Sequence, residues 1–436
     1  QTFSVETSLS TLFFREETMK KLLIAVLCLM LTGCAAPAPS DGSGPDRSVS
    51  PDIPAPSPAA SSAPNGESGP PQASPETDPE TAENPSASQE PSESSLGPQN
   101  QEQIIQELLS AMTLEEKVGQ MFFVRCPETG GAELAAQYKV GGYLLFGRDF
   151  KDKTAQQVRD DIQSYQDASG IPLLIGTDEE GGTVVRVSSN PHLRASKFPS
   201  PQKAYASGGM EAVLADTREK DFLLSALGFN VNLSPVADVS TNPADFMYDR
   251  TFGQDAAATA DYVAQVVSQM AEDGMGSVLK HFPGYGNNVD THTGIAVDHR
   301  PLESFTSSDF LPFQAGMESG GGKTAVLVSH NIMTAVDGDL PASLSPKVHG
   351  LLRTDLGFDG VVMTDDLAME AVAAYSADGA VAVMALEAGN DLVITTDYRT
   401  QIPKVLEALG SGALSEETID TACRRVLTWK QNLGLL

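Results

Sequence analysis

Residues 172–182 read PLLIGTDEEGG. A short apolar run, Pro172–Ile175, stops at Gly176-Thr177 and gives way to three acids, Asp178, Glu179 and Glu180, and a glycine pair. Four apolar residues are too few for a buried helix and suit a strand covered on both faces. The same grammar recurs at Met121–Val124, Tyr143–Phe146, Asn230–Leu233, Ser277–Leu279, Ala325–Val328, Val361–Met363 and Leu392–Ile394. Between these runs lie amphipathic stretches of helical length, such as Thr154–Ala168, Ala256–Glu272 and Ala377–Ala388. Thr113 followed by Glu116 predicts a capped helix start, and Glu416–Leu433 a closing helix. Strands alternating with helices predict a parallel sheet. Eight of them in ~330 residues predict an α/β fold, a (β/α)8 TIM-type barrel forming a single domain. A doubly wound open sheet is the alternative, weakened by the lack of a glycine-rich dinucleotide loop after the first strand.

Composition sets the boundaries of that domain. Residues 35–100 hold 15 of the 28 prolines, with Ser, Ala and Glu and almost no large apolar side chains. Such a segment buries too little apolar surface to offset its ordering entropy and is expected to be a disordered tether. Residues 101–436 are then the folded domain. Residues 1–34 contain Met19-Lys20-Lys21, the apolar run Leu22–Leu31 and the ending Leu31-Thr32-Gly33-Cys34. A basic start, a short apolar core and small residues describe a signal peptide, too short to span a membrane at ~20 residues. The start is expected at Met19, with residues 1–18 outside the natural chain. The Leu-Thr-Gly-Cys ending resembles a bacterial lipobox, which implies cleavage before Cys34 and a lipid on its thiol. Behind that anchor the tether would reach ~45 Å as a coil and up to ~200 Å as extended polyproline II. An extracytoplasmic, membrane-anchored lipoprotein is expected.

The formal net charge of −30, from 28 Lys and Arg against 58 Asp and Glu, excludes a nucleic-acid footprint. Four cysteines are too few for a disulfide scaffold. Cys126 and Cys423 are expected to be buried thiols. No exposed apolar seam is evident, and a monomer is expected.

Polar residues cluster where the strands should end: Asp178–Glu180, Lys280-His281, Ser329-His330-Asn331 and Thr364-Asp365-Asp366. In a barrel the chemistry sits at those ends. The stretch KHFPGYGNNVDTHTG, 280–294, is a loop by its glycines and proline, and it holds Asp290 and His292 two apart. A carboxylate beside an imidazole fixes the tautomer and raises the ring's basicity, as a general acid/base requires. A metal site at His281, Asp290 and His292 is the rival reading, but the spacing matches no zinc motif, so no metal and no cofactor is expected.

Several motifs in order, Met112–Phe122, GTDEEGGTVVRV at 176–187, NVNLSPVADV at 230–239, DRTFG at 249–253, KHFPGYG at 280–286, DTH at 290–292 and GVVMTDDLAM at 360–369, give the chain its resemblance. It resembles glycoside hydrolase family 3, of the single-domain bacterial β-N-acetylhexosaminidase type, over about residues 104–433. The resemblance implies a carbohydrate substrate and a retaining mechanism through a covalent glycosyl-aspartate. It implies Asp365 as nucleophile, with Asp366 capping the following helix. His292 oriented by Asp290 would be the acid/base, its natural pKa near 6.5 suiting proton exchange near neutrality. Asp178, Arg186, Arg250, Lys280 and His281 would bind the sugar. From the residues alone, Arg250 could instead pair with Asp249 or Asp255, and Asp178 could be a loop cap.

The chain departs from that family at Tyr285, where His is common, at Asn287-Asn288 in place of Asp-Thr, in a loop one residue shorter before Asp290, and at Thr291 in place of Ser. Many β-glucosidases of the family carry their acid/base on a second domain. The chain ends at Leu436, so the expected activity is release of terminal β-linked N-acetylglucosamine, from peptidoglycan fragments among other sources. A β-glucosidase or β-xylosidase, a phosphorylase on the same scaffold, and a non-catalytic carbohydrate-binding lipoprotein are the alternatives.

Overall fold

The computed structural model describes residues 98–288, 294–373, 375 and 380–436. The expectations for the signal peptide, Cys34, the tether, Asp290 and His292 lie outside the described residues.

Eight parallel strands follow one another in chain order: β1 Phe122–Arg125, β2 Gly142–Leu145, β3 Leu174–Thr177, β4 Val231–Asn232, β5 Gly276–Phe282, β6 Thr324–Val328, β7 Val362–Thr364 and β8 Val393–Thr395. Each strand from β1 to β6 pairs with the next, and β8 returns to pair with β1. A single parallel bridge from Met363 to Leu392 joins β7 to the residue before β8, so the ring is nearly closed and the open-sheet alternative is set aside. All eight expected strands are present. Pro172 lies outside β3, as its missing N–H dictates. The largest departure is β5, which runs on to Phe282 with a register shift between Leu279 and Phe282. Lys280 and His281 are thus part of the strand rather than the start of the loop.

The strands alternate cleanly. Phe123, Leu144, Leu174, Val278, Leu327, Met363 and Ile394 point inward and fill the barrel. Their neighbours Phe122, Val124, Tyr143, Ile175, Leu279, Val362 and Val393 point outward against the helices. A side-chain period of two on a sheet buried on both faces produces these two apolar columns. Truncating Phe123, fully buried in the inner column, to Ala would cost about 3–5 kcal/mol.

The outer layer includes α1 Pro98–Ala111, α2 Leu114–Gln120, α3 Gly131–Tyr138, α4 Ala155–Asp167, α5 Pro201–Leu227, α6 Ala256–Glu272, α7 Phe310–Ser319, α8 Val381–Ala388, α9 Tyr398–Ser411 and α10 Glu416–Asn432. The α2 start is the capping box read from the sequence: Glu116 N–H donates to Thr113 Oγ1 at 3.3 Å, and Thr113 N–H to Glu116 Oε2 at 2.9 Å. Thr154 caps α4 in the same way. Among the described residues, no helix is long and apolar enough to cross a membrane.

At the N-terminal end of the barrel, Asp391 is buried between Arg353 (2.5 Å) and Arg425 (3.1 Å) and accepts the Val362 N–H at 2.8 Å. Arg353 also donates to the carbonyls of Phe358 and Gly360. This knot ties the entry to β7 to α10. Cys126 and Cys423 are buried, and burial pushes both thiols up to about 12, so neither is a thiolate.

Candidate active site

The inward columns do not end with the strands. Two residues beyond Phe123, Leu144, Val278, Met363 and Ile394 stand Arg125, Phe146, Lys280, Asp365 and Thr396. All five line one cleft of about 620 Å³ at the C-terminal mouth of the barrel. Asp178 on the β3 column, Arg186, Arg250, His281 and Tyr285 line it too, with Met369 among its apolar groups. The fold therefore brings six of the sequence-predicted residues, Asp178, Arg186, Arg250, Lys280, His281 and Asp365, into one place.

Asp365 is held by its own backbone. Its N–H donates to the Val328 carbonyl on β6 at 3.0 Å, and its Oδ1 accepts the Asp366 N–H at 2.8 Å. Asp366 does not cap a helix as expected. Its carboxylate accepts from Ala368 N–H (2.9 Å) and from Thr396 Oγ1 (2.9 Å), which fastens the turn after β7 to the end of β8. Beneath this turn the buried His330 lies 3.1 Å through Nε2 from the Asp366 carbonyl. A carbonyl only accepts, so Nε2 carries a proton there.

The cations opposite are matched by acids that are mostly distant in sequence. Lys280 Nζ lies 2.7 Å from Asp178 and 2.6 Å from Glu180. Arg250 is not paired with Asp249 or Asp255; it grips Glu180 with Nε at 3.0 Å and Nη2 at 2.8 Å. Asp178 is no loop cap either, since it also meets Arg186 at 3.5 Å. Burial would raise the Glu180 pKa, but Arg250 and Lys280 outweigh it and hold the carboxyl well below the usual range. Burial likewise opposes the charge on Arg250, and Glu180 more than restores it.

His281 is positioned by a residue that the sequence reading missed. Asp238 takes the His281 backbone N–H (3.1 Å), its Nδ1 (2.8 Å) and the Tyr285 N–H (2.7 Å). The Nε2 of His281 faces Arg250 Nη2 at 3.3 Å. A guanidinium only donates, so Nε2 accepts and the ring proton sits on Nδ1 toward Asp238. Glu180 and Asp238 had one available signal: both are acids five residues beyond the end of an expected strand.

Glu179, between the cleft acid Asp178 and the buried Glu180, turns the other way. Fully buried, it accepts the N–H groups of Arg186 (2.8 Å) and Val187 (2.7 Å) and the Ser188 hydroxyl, knotting the 179–188 loop that carries Arg186.

The described stubs of the 280–294 loop are anchored as well. Gly284 and Gly286 have positive φ, and a Cβ on either would strike Asp309 or Arg300. Arg300 binds Asp298, Asp309 and the Gly284 carbonyl, and Asn288 donates to Asp298 at 2.7 Å. Among the described residues, no three His, Cys, Asp or Glu side chains are grouped to hold a metal ion.

A parallel barrel whose mouth gathers carboxylates, an amine and guanidiniums around a strand-tip aspartate presents hydrogen-bonding groups suited to a polyhydroxylated ligand. Comparison with known proteins agrees. The Glycosyl hydrolase family 3 N terminal domain matches residues 113–429. A "Beta-hexosaminidase" of Stenotrophomonas maltophilia is 35% identical over 282 residues, 61% of this chain and 80% of that protein. "Beta-hexosaminidase LpqI" of Mycobacterium tuberculosis is 31% identical over 330 residues, 72% of this chain and 82% of that protein. The solved family 3 β-N-acetylglucosaminidase of Paenibacillus sp. superimposes with a TM-score of 0.69 at 32% identity, over 74% of this chain and 63% of that one. The chain thus spans under two thirds of that structure. It belongs to glycosyl hydrolase family 3 and is a glycoside hydrolase.

Proposed function

We propose that the protein is a retaining exo-glycosidase that removes terminal β-linked N-acetylglucosamine, or a related N-acetylhexosamine, with peptidoglycan fragments as the natural source. The observation that carries this is the placement of Asp365 in a cleft opposite a fixed cluster of Asp178, Arg186, Arg250, Lys280 and His281. The printed names of the relatives support the sugar.

In this mechanism the cluster binds the sugar hydroxyls and Asp365 attacks C1. The bond from C1 to the departing oxygen breaks as His292, oriented by Asp290, gives that oxygen its proton. His292 then takes a proton from water as the water displaces Asp365, so the β-configuration is retained. Glu180 stays ionised behind Lys280 and Arg250 and keeps their donors in position for the transition state.

The domain assignment joins this reading. Residues 1–34 would be export signal with the anchor at Cys34, 35–100 a tether, and 101–436 the barrel, a monomer reaching the wall outside the membrane. Substituting Cys34 by Ser should release the protein from the membrane fraction; retention there would remove the anchor.

The test uses the full chain with nitrophenyl β-N-acetylglucosaminide and β-glucoside, and NMR of the first product formed. Faster release from the N-acetylglucosaminide, with the β-anomer appearing first, is expected. The α-anomer first would overturn the retaining step. Preference for the glucoside would overturn the sugar, and binding without hydrolysis would overturn turnover itself.

A further inference from the structure

Two guanidiniums share one aromatic ring in the cleft. Arg125 lies 4.3 Å and Arg186 5.4 Å from the centre of the Phe146 ring. Both line the cleft, and the Nε of each is buried without a hydrogen-bond partner. Arg186 reaches a carboxylate only at 3.5 Å, and that carboxylate, Asp178, already has Lys280 at 2.7 Å. Arg125 forms no hydrogen bond or ion pair among the described residues. Stacking on the ring fixes a guanidinium's plane and leaves its outer N–H groups to a ligand. The β1–β2 side of the mouth thus holds two cations that share a single, already engaged carboxylate. A partly buried cation without a counter-charge is costly unless a ligand brings one.

Handedness says which part of the sugar meets them. Parallel strands joined by right-handed crossovers run anticlockwise when the barrel is viewed from its mouth. In the mechanism above, Asp365 attacks C1 from the floor while the leaving oxygen departs toward solvent, so the β-face of the sugar looks outward. Seen from that face, the carbons of a D-hexopyranose run clockwise. With C1 at β7, C2 then falls between β6 and β5, C3 between β5 and β4, C4 at β3, and C5 between β2 and β1. C3 and C4 meet His281, Lys280, Arg250 and Asp178, the groups already assigned to hydroxyls. The C6 group, carried on C5, points to Phe146 and its two guanidiniums. A hydroxymethyl offers them one neutral oxygen, whereas an oxyanion matches their planar forks in charge and geometry.

We infer that Arg125, with Arg186, forms a subsite for an oxyanion on C6 of the terminal sugar, so that the enzyme favours β-glycosides of N-acetylglucosamine esterified at O6 by sulfate or phosphate. The inference rests on the glycosidase reading above and names a substituent that reading leaves open. Free inorganic phosphate is the other source of the same chemistry, and the test separates it from an ester.

Full-length wild type, Arg125→Gln and Arg125→Lys are compared on methylumbelliferyl β-N-acetylglucosaminide, its 6-sulfate and its 6-phosphate, which share one leaving group. In wild type, kcat/KM for at least one ester should exceed that for the plain glycoside by about 10- to 100-fold, the range of a charge-assisted hydrogen bond. Arg125→Gln should lower that ratio by about tenfold or more, through KM more than kcat, and Arg125→Lys should keep part of it. Esters cleaved no faster than the plain glycoside by wild type, or an unchanged ratio in Arg125→Gln, overturn the subsite and leave the glycosidase reading standing. Failure of wild type to cleave any of the three overturns that reading, and the inference with it. Release of the sugar as its 1-phosphate when inorganic phosphate is added, lost in Arg125→Gln, assigns Arg125 to free phosphate and overturns the C6 ester.

Discussion

Glu180 at the C-terminal mouth and Asp391 at the opposite end are both deeply buried carboxylates, each held by two cations. Their surroundings differ in what is left over. Arg353 and Arg425 serve Asp391, Asp359 and backbone carbonyls, so the lower knot's donors are taken up within the protein. Lys280 and Arg250 are pinned by Glu180 yet still line an open cleft. Burial raises Asp391 despite its arginines, whereas the amine and guanidinium around Glu180 win over burial. The same ingredients thus make a fastening at one end and a poised set of donors at the other, as the division of labour between the two faces of such barrels requires.

The comparison breaks most sharply at Asp365. Asp365→Ala should lower kcat by about 10⁴-fold or more while the melting temperature stays within a few degrees; retention of near-wild-type kcat would mean the upper end is not a catalytic centre. His292→Ala should cost about 10²- to 10⁴-fold on disaccharides with poor leaving groups and far less on nitrophenyl substrates. Equal losses on both would remove the acid role.

The lower end should answer in stability instead. Arg353→Met leaves Asp391 with one cation fewer and should cost about 3–5 kcal/mol of unfolding free energy at pH 7. Turnover per folded molecule should be unaltered, checked by urea unfolding and active-site titration. The sign with pH follows from the raised carboxyl. As pH falls through the folded value of Asp391, it takes up a proton and no longer needs Arg353, so the deficit of the variant shrinks in mild acid. Glu180 behaves oppositely: its depressed folded value keeps its contribution in full above pH ~4.5, to be lost only at much lower pH. Mild acid should therefore relieve the bottom, while strong acid weakens the mouth, and hydrogen exchange at Arg250 Nε–H should be promoted by acid before that at the Val362 N–H. The reverse order would show that the two carboxylates are not tuned apart. The smallest expected effect is that of chelation. EDTA should leave activity unchanged, and a loss restored by a divalent ion would revive the metal reading.

How much of this was legible in the chain depends on distance along it. The eight strands could be read because each is a local run of apolar residues bounded by polar ones, and the capping box at Thr113 because its partners are three residues apart. Asp365, Lys280 and Asp178 announced themselves as polar residues at strand ends. What could not be read was pairing. Along the chain the partners within reach of Arg250 are its neighbours Asp249 and Asp255, the alternative to its sugar-binding role, yet closure of the barrel brings it to Glu180, 70 residues away. Asp238 meets His281 across 43 residues for the same reason. Arg125 was overlooked because a single arginine after an apolar run carries no motif; only the inward alternation of β1 places it in the cleft.

Three consecutive acids, Asp178, Glu179 and Glu180, hold different posts in one short tract: one lining the cleft, one as the knot of a loop, one as the brace behind two cations. Chemically they are near twins, and it is odd and even count that turns Glu179 away from Asp178 and Glu180. Removing a single residue between Ile175 and Asp178 would trade those duties without changing one functional group. Any attempt to redesign the rim of this enzyme must preserve that count before it considers what each side chain can do.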